Sequence, residues 1–302
     1  MRIAIIGAGG VGAYYGGLLA RTDHEVVMLA RGAHLEALRE RGIEVRMPEE
    51  RFVASVQATD DPAELGKVDW AIVAVKSYSL SEIAATTRAL AKSGAVILPL
   101  LNGVEVVDQL VRLDVPRDQL LGGMTQISAV RLIPGVVERK SDMARVVFGE
   151  IHGGISERVN RIAKAFREAD VDVRVSEDIT VDLWRKFAFI ASVAAACGLA
   201  RSSLNQIRDT PLGHLLLERL IREVIAVGRA HGVALPEGEL QSQLQFIDGL
   251  TNSLKPSFLL DLEAGRPTEI NDLSGAVARL GRTARVETPV HDTAAAALGA
   301  GI

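Results

Sequence analysis

The stretch "RIAIIGAGGVGAYYGGLLARTDHEVVMLAR" constrains this chain more than any other. It opens as a short β-branched run, turns through Gly7, Gly9 and Gly12, continues as a helical pattern and ends in a second apolar strand. Each glycine at this spacing has its own mechanical task. Gly7 makes the tight turn, Gly9 lets the backbone approach a pyrophosphate, and Gly12 lets helix and strand pack closely. The helix N-terminus then faces the anion. The expectation is a βαβ unit that binds a dinucleotide through Gly7, Ala8, Gly9, Gly10, Val11 and Gly12. The competing reading is a glycine-rich turn with a purely structural role.

The same start, one arginine before an apolar run, has the look of a signal peptide. Six glycines in the first 20 residues disfavour a helical core for such a peptide, and the following residues continue the same structural unit. The end of the second strand bears on the cofactor. An acid there would bond a ribose 2′-hydroxyl and repel a 2′-phosphate. This strand ends "LAR", and Arg31 offers a guanidinium suited to a phosphate, so NADP is expected over NAD. The plain alternative is a solvated loop arginine.

Two buried-strand patterns follow, "DWAIVAVKSY" and "GAVILPLLNG", with a helical stretch from about Ser79 to Lys92 between them. Ligands of open α/β sheets gather at the carboxyl ends of strands, where Lys76 and Asn102 would stand. A solvated lysine and an ordinary Asn-Gly turn are the alternatives. "QLLGGMTQISAVRL", "GVVERK" and "ARVVFGEI" read as strands closing this sheet, and "VDVRVSED" as its last member. "ISERVNRIAKAFREA" is an amphipathic helix.

Period two is lost after Asp178. Long Ala- and Leu-rich stretches follow, punctuated by Pro211 and Gly232, by Pro256 and Gly265, by Thr268 as an expected N-cap, and by Thr288 with Pro289. The expected fold is an α/β dinucleotide-binding domain over residues 1–176 followed by an all-helical domain over residues 177–302, with a ligand cleft expected between them. A length of 302 residues suits two domains.

A formal charge of −4, from 34 basic and 38 acidic residues, offers no stripe for nucleic acid or an anionic membrane. A small-molecule partner is expected. The one cysteine, Cys197, rules out an intrachain disulfide and fits a reducing compartment such as the cytoplasm. The apolar run from Phe187 to Ala200 falls short of the roughly 20 residues of a membrane span. No residues have metal-ligand spacing, no Gly-x-Ser-x-Gly elbow is present, and His24, His34, His152, His214, His231 and His291 read as structural or solvated.

One lysine needs a reason. In "VDLWRKFAFIASVAAACG", steps of four from Lys186 reach Ile190, Ala194 and Gly198, so one helix face carries a single ammonium above a blank strip. Lys186 could simply snorkel at a helix edge. Alternatively, hydride transfer to a carbonyl leaves an alkoxide that needs an acid or a cation in reach. The residues alone leave both readings open.

"IGAGGVGAYYGG", "LAR", "AVKSY", "LLNGV", "DLWRKFAF" and "KPSFLLDLEAGRPTEIN", in this order over nearly the whole chain, resemble the ketopantoate reductases (2-dehydropantoate 2-reductases). The resemblance implies a Rossmann-type domain plus a helical domain, and NADPH-dependent reduction of the 2-oxo group of ketopantoate to pantoate on the route to pantothenate. It implies Lys186 as general acid and Glu269 on the cofactor ribose, helping to organise the closed site. Asn102 and Lys76 would lie by the nicotinamide and its ribose, Arg31 on the 2′-phosphate, Ser257 on the substrate carboxylate, and the backbone near Ala129 along the cofactor.

The chain departs from the family pattern where asparagines one and two turns below the lysine are replaced by Ile190 and Ala194. An acid with a more apolar tail is therefore an alternative substrate, unless Asn205, Gln206 or Ser192 supplies polar groups from elsewhere. Arg139 and Lys140 stand where family members often have a histidine. A sensor that binds NADP without turnover is the non-enzymatic alternative, and leucine-rich helix faces make a homodimer plausible.

Overall fold

The computed structural model describes residues 1–251 and 253–299. The chain divides into two compact units, one comprising Met1–Leu101 and Val106–Ile179, the other Asn102–Glu105 and Thr180–Ile302.

The first unit is built on a five-stranded parallel sheet. Its order is β5 (Gln57–Thr59), β2 (Glu25–Leu29), β1 (Arg2–Ile6), β6 (Trp70–Val73), β7 (Val96–Pro99). Ile3, Ala4, Ile5 and Ile6 are all wholly buried, as a strand covered on both faces requires. From β1 the chain passes through α1 (Gly10–Leu19) to β2 on one side, while β6 lies on the other. The strand order therefore reverses beside the glycine turn, where open α/β sheets bind ligands. The helices α2 (Gly32–Arg41), α3 (Leu80–Lys92) and α4 (Val106–Arg112) complete this part.

The later strands do not close this sheet, contrary to the sequence expectation. They form two others. One has the order β4 (Arg51–Ala54), β3 (Ile43–Arg46), β10 (Val136–Arg139), β9 (Ala129–Ile133). The other has β12 (Asp172–Val175), β11 (Arg145–Gly149), β8 (Gly122–Gln126), with α5 (Glu157–Glu168) preceding β12. The reason lies in "IEVRMPEERFVA", a short, charge-rich hairpin with no long apolar run to announce it, whose β3 pairs with β10 and so captures the β9–β10 hairpin. Only an isolated bridge, Ile97 to Leu120, links β7 to the start of the third sheet among the described residues.

The second unit is helical: α6 (Ile179–Ala200, its first residue grouped with the first unit), α7 (Leu204–Arg208), α8 (Pro211–Ala230), α9 (Glu239–Asp248), α10 (Ser257–Glu263), α11 (Ser274–Ala284) and α12 (Pro289–Gly299). Thr210 caps α8 by accepting from the Gly213 N–H, with Pro211 in the first turn. Two expected caps move. Pro256 is the residue before α10 and not inside its first turn. Thr268 is not an N-cap: a short 3-10 turn, Ile270–Asp272, intervenes, and α11 begins only at Ser274. Glu269 therefore lies outside the helix.

The length argument against a membrane span also fails, because α6 has 22 residues and a mean hydropathy of 1.4 over its most apolar window. Its place in the fold answers the question instead. Phe187, Ala188, Ala191 and the run from Val193 to Cys197 are buried in the core of the helical unit.

Candidate active site

The glycine turn can be tested atom by atom. Gly7 has φ +97°, and a Cβ there would stand 2.9 Å from the Ala74 carbonyl carbon and oxygen. A Cβ on Gly12 would stand 2.1 Å from the Gly7 carbonyl oxygen. A Cβ on Gly9, in contrast, would meet nothing within 4 Å. The space above Gly9 is open, at the N-terminus of a helix with no side-chain cap and no acid in its first turn. First-turn N–H groups have no partner within their helix, so this is a cradle that fits a pyrophosphate. Gly10 answers to a different neighbour. Its Cβ would stand 2.1 Å from the carbonyl oxygen of Ala129, which lies at the start of β9 against the turn.

Arg31 follows β2 as the residue before α2, is exposed, and stands 3.8 Å from the Glu82 carboxylate of α3. Lys76 follows β6 and precedes the short 3-10 turn Ser77–Ser79. His34 is structural: its buried ring accepts the Gly135 N–H through Nδ1 at 2.9 Å. Arg139 now has an account. Its guanidinium donates to the Tyr14 hydroxyl on α1 at 3.2 Å and to both oxygens of Glu49 at 2.5 and 2.6 Å, fastening the second sheet to the helix behind the glycine turn. Lys140 pairs with Glu138.

The helical unit holds the other constellation. Lys186 Nζ donates to Asn102 Oδ1 at 2.9 Å. Asn102 follows β7 and its strand partners in sequence, yet the segment Asn102–Glu105 belongs to the helical unit. Burial lowers the Lys186 pKa from 10.5 to about 8, and the nearby Glu269 carboxylate opposes that shift. Glu269 is itself buried, as the residue that starts the turn Ile270–Asp272. The fold thus gathers Asn102, Lys186 and Glu269. Ser257 begins α10, which docks on the C-terminal half of α6 through Phe258 and Gly198.

Below the lysine, Ile190 is half-buried and Ala194 buried. The substitute polar groups considered from sequence are committed elsewhere or enclosed. Asn205 Oδ1 accepts the Leu254 N–H at 2.9 Å, Gln206 Oε1 accepts from the Ser203 N–H and hydroxyl at 3.0 Å, and Ser192 is wholly buried.

Sequence reasoning missed the groups that brace this turn of α6. Arg185 Nε pairs with buried Glu239 at 2.8 Å, while Gln243 Nε2 donates to the Arg185 carbonyl at 3.0 Å and to Glu239 at 2.6 Å. The i, i+4 spacing of Glu239 and Gln243 on a half-polar helix was the only signal available.

Comparison with known proteins covers both units. A profile described as Ketopantoate reductase PanE/ApbA matches residues 3–153, and one described as Ketopantoate reductase PanE/ApbA C terminal matches residues 178–301. The chain is 31% identical to a 2-dehydropantoate 2-reductase of Halobacterium salinarum, over 98% of this chain and 97% of that protein. It is 30% identical to the Bacillus subtilis protein described as uncharacterized oxidoreductase YkpB, over 97% and 96%. The crystal structure of a 2-dehydropantoate 2-reductase from Geobacter metallireducens superposes with a TM-score of 0.92 at 30% identity, covering 100% of both chains.

Proposed function

Because the chain belongs to the ketopantoate reductase family and is an oxidoreductase, we propose that it reduces a 2-oxo acid with NADPH, with 2-dehydropantoate as first substrate and pantoate, a precursor of pantothenate, as product. The observation that carries this reading is the Lys186 ammonium, desolvated to a pKa of about 8 and held by Asn102 beside Glu269. A donor with a pKa near the working pH is protonated before the reaction and releases its proton readily within it. Bound NADPH would supply the hydride. Lys186 gives its proton to the carbonyl oxygen, Asn102 fixes the ammonium's direction, and Glu269 keeps it charged and would meet the cofactor ribose.

Ser257 would take the substrate carboxylate. Gly7 to Gly12 and the backbone at Ala129 would hold the pyrophosphate side, Lys76 the nicotinamide ribose and Arg31 the 2′-phosphate. The proposed setting is the cytoplasm, and the proposed assembly a homodimer that covers exposed Leu212 and Leu215 on α8.

A second reading has its own support. Ile190 and Ala194 stand where family members carry asparagines below the lysine, and the side-chain oxygens of Asn205 and Gln206 are already engaged. A site of this kind favours a 2-oxo acid whose tail is apolar, since polar recognition discriminates by orders of magnitude and positions 190 and 194 do not supply it. The test is to mix protein, NADPH and 2-dehydropantoate and follow the cofactor's near-ultraviolet absorbance, then repeat with 2-oxo acids of apolar tail and with NADH. Rapid loss with 2-dehydropantoate supports the first reading, loss only with the others the second. Binding without turnover on any acid would identify a sensor and refute both.

A further inference from the structure

The loop that delivers Asn102 to Lys186 is anchored behind the site. Gly103 turns it at φ +106°, Val104 packs on the helical core, and Glu105 is 16% exposed. The Glu105 carboxylate accepts from Arg279 Nη2 at 2.6 Å. The other arm of the same guanidinium, Nη1, donates to the Asn271 carbonyl at 2.9 Å. Asn271 sits in the turn Ile270–Asp272 that begins at Glu269. One rigid fork therefore spans the segment carrying Asn102 and the segment carrying Glu269, the two residues that hold Lys186 and set its charge.

We infer that Arg279, with Glu105, is a positioning residue for the proton donor: it fixes the spacing of Asn102 and Glu269 around Lys186. The planar guanidinium presents donors in a fixed geometry to two acceptors at once, which a lysine's single ammonium does not reproduce. Arg279 is 45% exposed, and pairs this open contribute little to global stability, so its effect falls on geometry. The inference rests on the reading of Lys186 as proton donor.

The test compares wild type, Lys186→Ala, Arg279→Lys and Glu105→Gln. Three readouts are taken: melting temperature, kcat and KM with NADPH and the 2-oxo acid turned over, and the pH dependence of Lys186 acetylation by acetic anhydride, read by mass spectrometry. The last needs no substrate. Arg279→Lys and Glu105→Gln should each lower kcat roughly tenfold or more, in line with the effect of small misplacements, with melting temperature and KM near wild type.

Slackening of Asn102 removes an acceptor that favours the charged amine, and slackening of Glu269 weakens the attraction that opposes the effect of burial, while Arg185, paired with Glu239, is unchanged. The midpoint of Lys186 acetylation should therefore fall. Wild-type kcat and an unmoved midpoint in Arg279→Lys, with Lys186→Ala inactive, would overturn this inference alone. Near-normal turnover by Lys186→Ala would overturn the proton-donor reading and the inference with it.

Discussion

The glycine turn and the Lys186 face differ in what they are made of. The turn works through the backbone of six consecutive residues, and its tightest clearances at Gly10 and Gly12 are set by the Ala129 and Gly7 carbonyls, which cannot move aside. The lysine site works through side chains, with Asn102 and Lys186 separated by 84 positions in the chain. A backbone device is brittle and tolerates no added atom where it is packed. A side-chain device should fail in graded fashion, losing chemistry while keeping the fold.

Lys186→Ala is the sharpest way to break this contrast. Loss of a general acid lowers turnover by roughly 100- to 10,000-fold. Melting temperature should hold or rise, because a desolvated ammonium is removed. An equal drop in kcat and in folded fraction would mean that the lysine is part of the architecture.

The next largest effect separates two glycines of the same turn. Gly12→Ala puts a Cβ 2.1 Å from a carbonyl oxygen and should destabilise the first unit by roughly 3 kcal/mol, seen as a lower denaturation midpoint. Gly9→Ala puts its Cβ into open space, so stability should stay near wild type while NADPH affinity, measured by calorimetry, falls at least tenfold. If Gly9→Ala binds NADPH as wild type does, the cradle is not where the pyrophosphate rests.

This difference also explains what could be read from the residues. Gly7, Gly9 and Gly12 were legible because a local spacing implies a local geometry, and α1, β1 and β2 followed from it. The β3–β4 hairpin was not, since "IEVR" and "RFVA" are short and charged, and their pairing with β10 is decided across the chain. Lys186 stood out as a lone cation over an apolar strip and Asn102 as a candidate at a strand end, with an Asn-Gly turn as the alternative, but nothing local said that the two would pair across 84 positions. Arg279 gave no signal at all, because its partner Glu105 lies 174 residues away.

Substrate choice sharpens the comparison from the side-chain end. Ile190→Asn restores an amide one turn below the lysine and should raise kcat/KM for 2-dehydropantoate relative to an apolar-tailed 2-oxo acid by roughly 10- to 100-fold, in the range of discrimination by a polar contact. A ratio unchanged in Ile190→Asn would show that this strip does not meet the substrate tail.

The smallest effect concerns pH, where activity and stability move in opposite senses. Lys186 titrates near 8 in the folded chain and near 10.5 when unfolded, so the unfolded state binds more protons between these values and the lysine's contribution to stability improves as pH rises through them. Turnover should decline over the same rise, since the donor is being deprotonated. The acid side has a separate group. His291 is wholly buried between Ser274 and the Leu220 carbonyl, and burial lowers its pKa from 6.5 to about 4. Here too the unfolded state binds more protons between the two values, so stability from His291 is whole above about 6.5 and is lost as pH falls toward 4. His291→Gln should lower the melting temperature at pH 7 yet flatten its decline between pH 6.5 and 4. An unflattened decline would assign acid sensitivity to carboxylates held below their usual range, such as Glu150 beside Arg158, and not to Glu223, whose pKa burial raises and which therefore favours the folded state as pH falls.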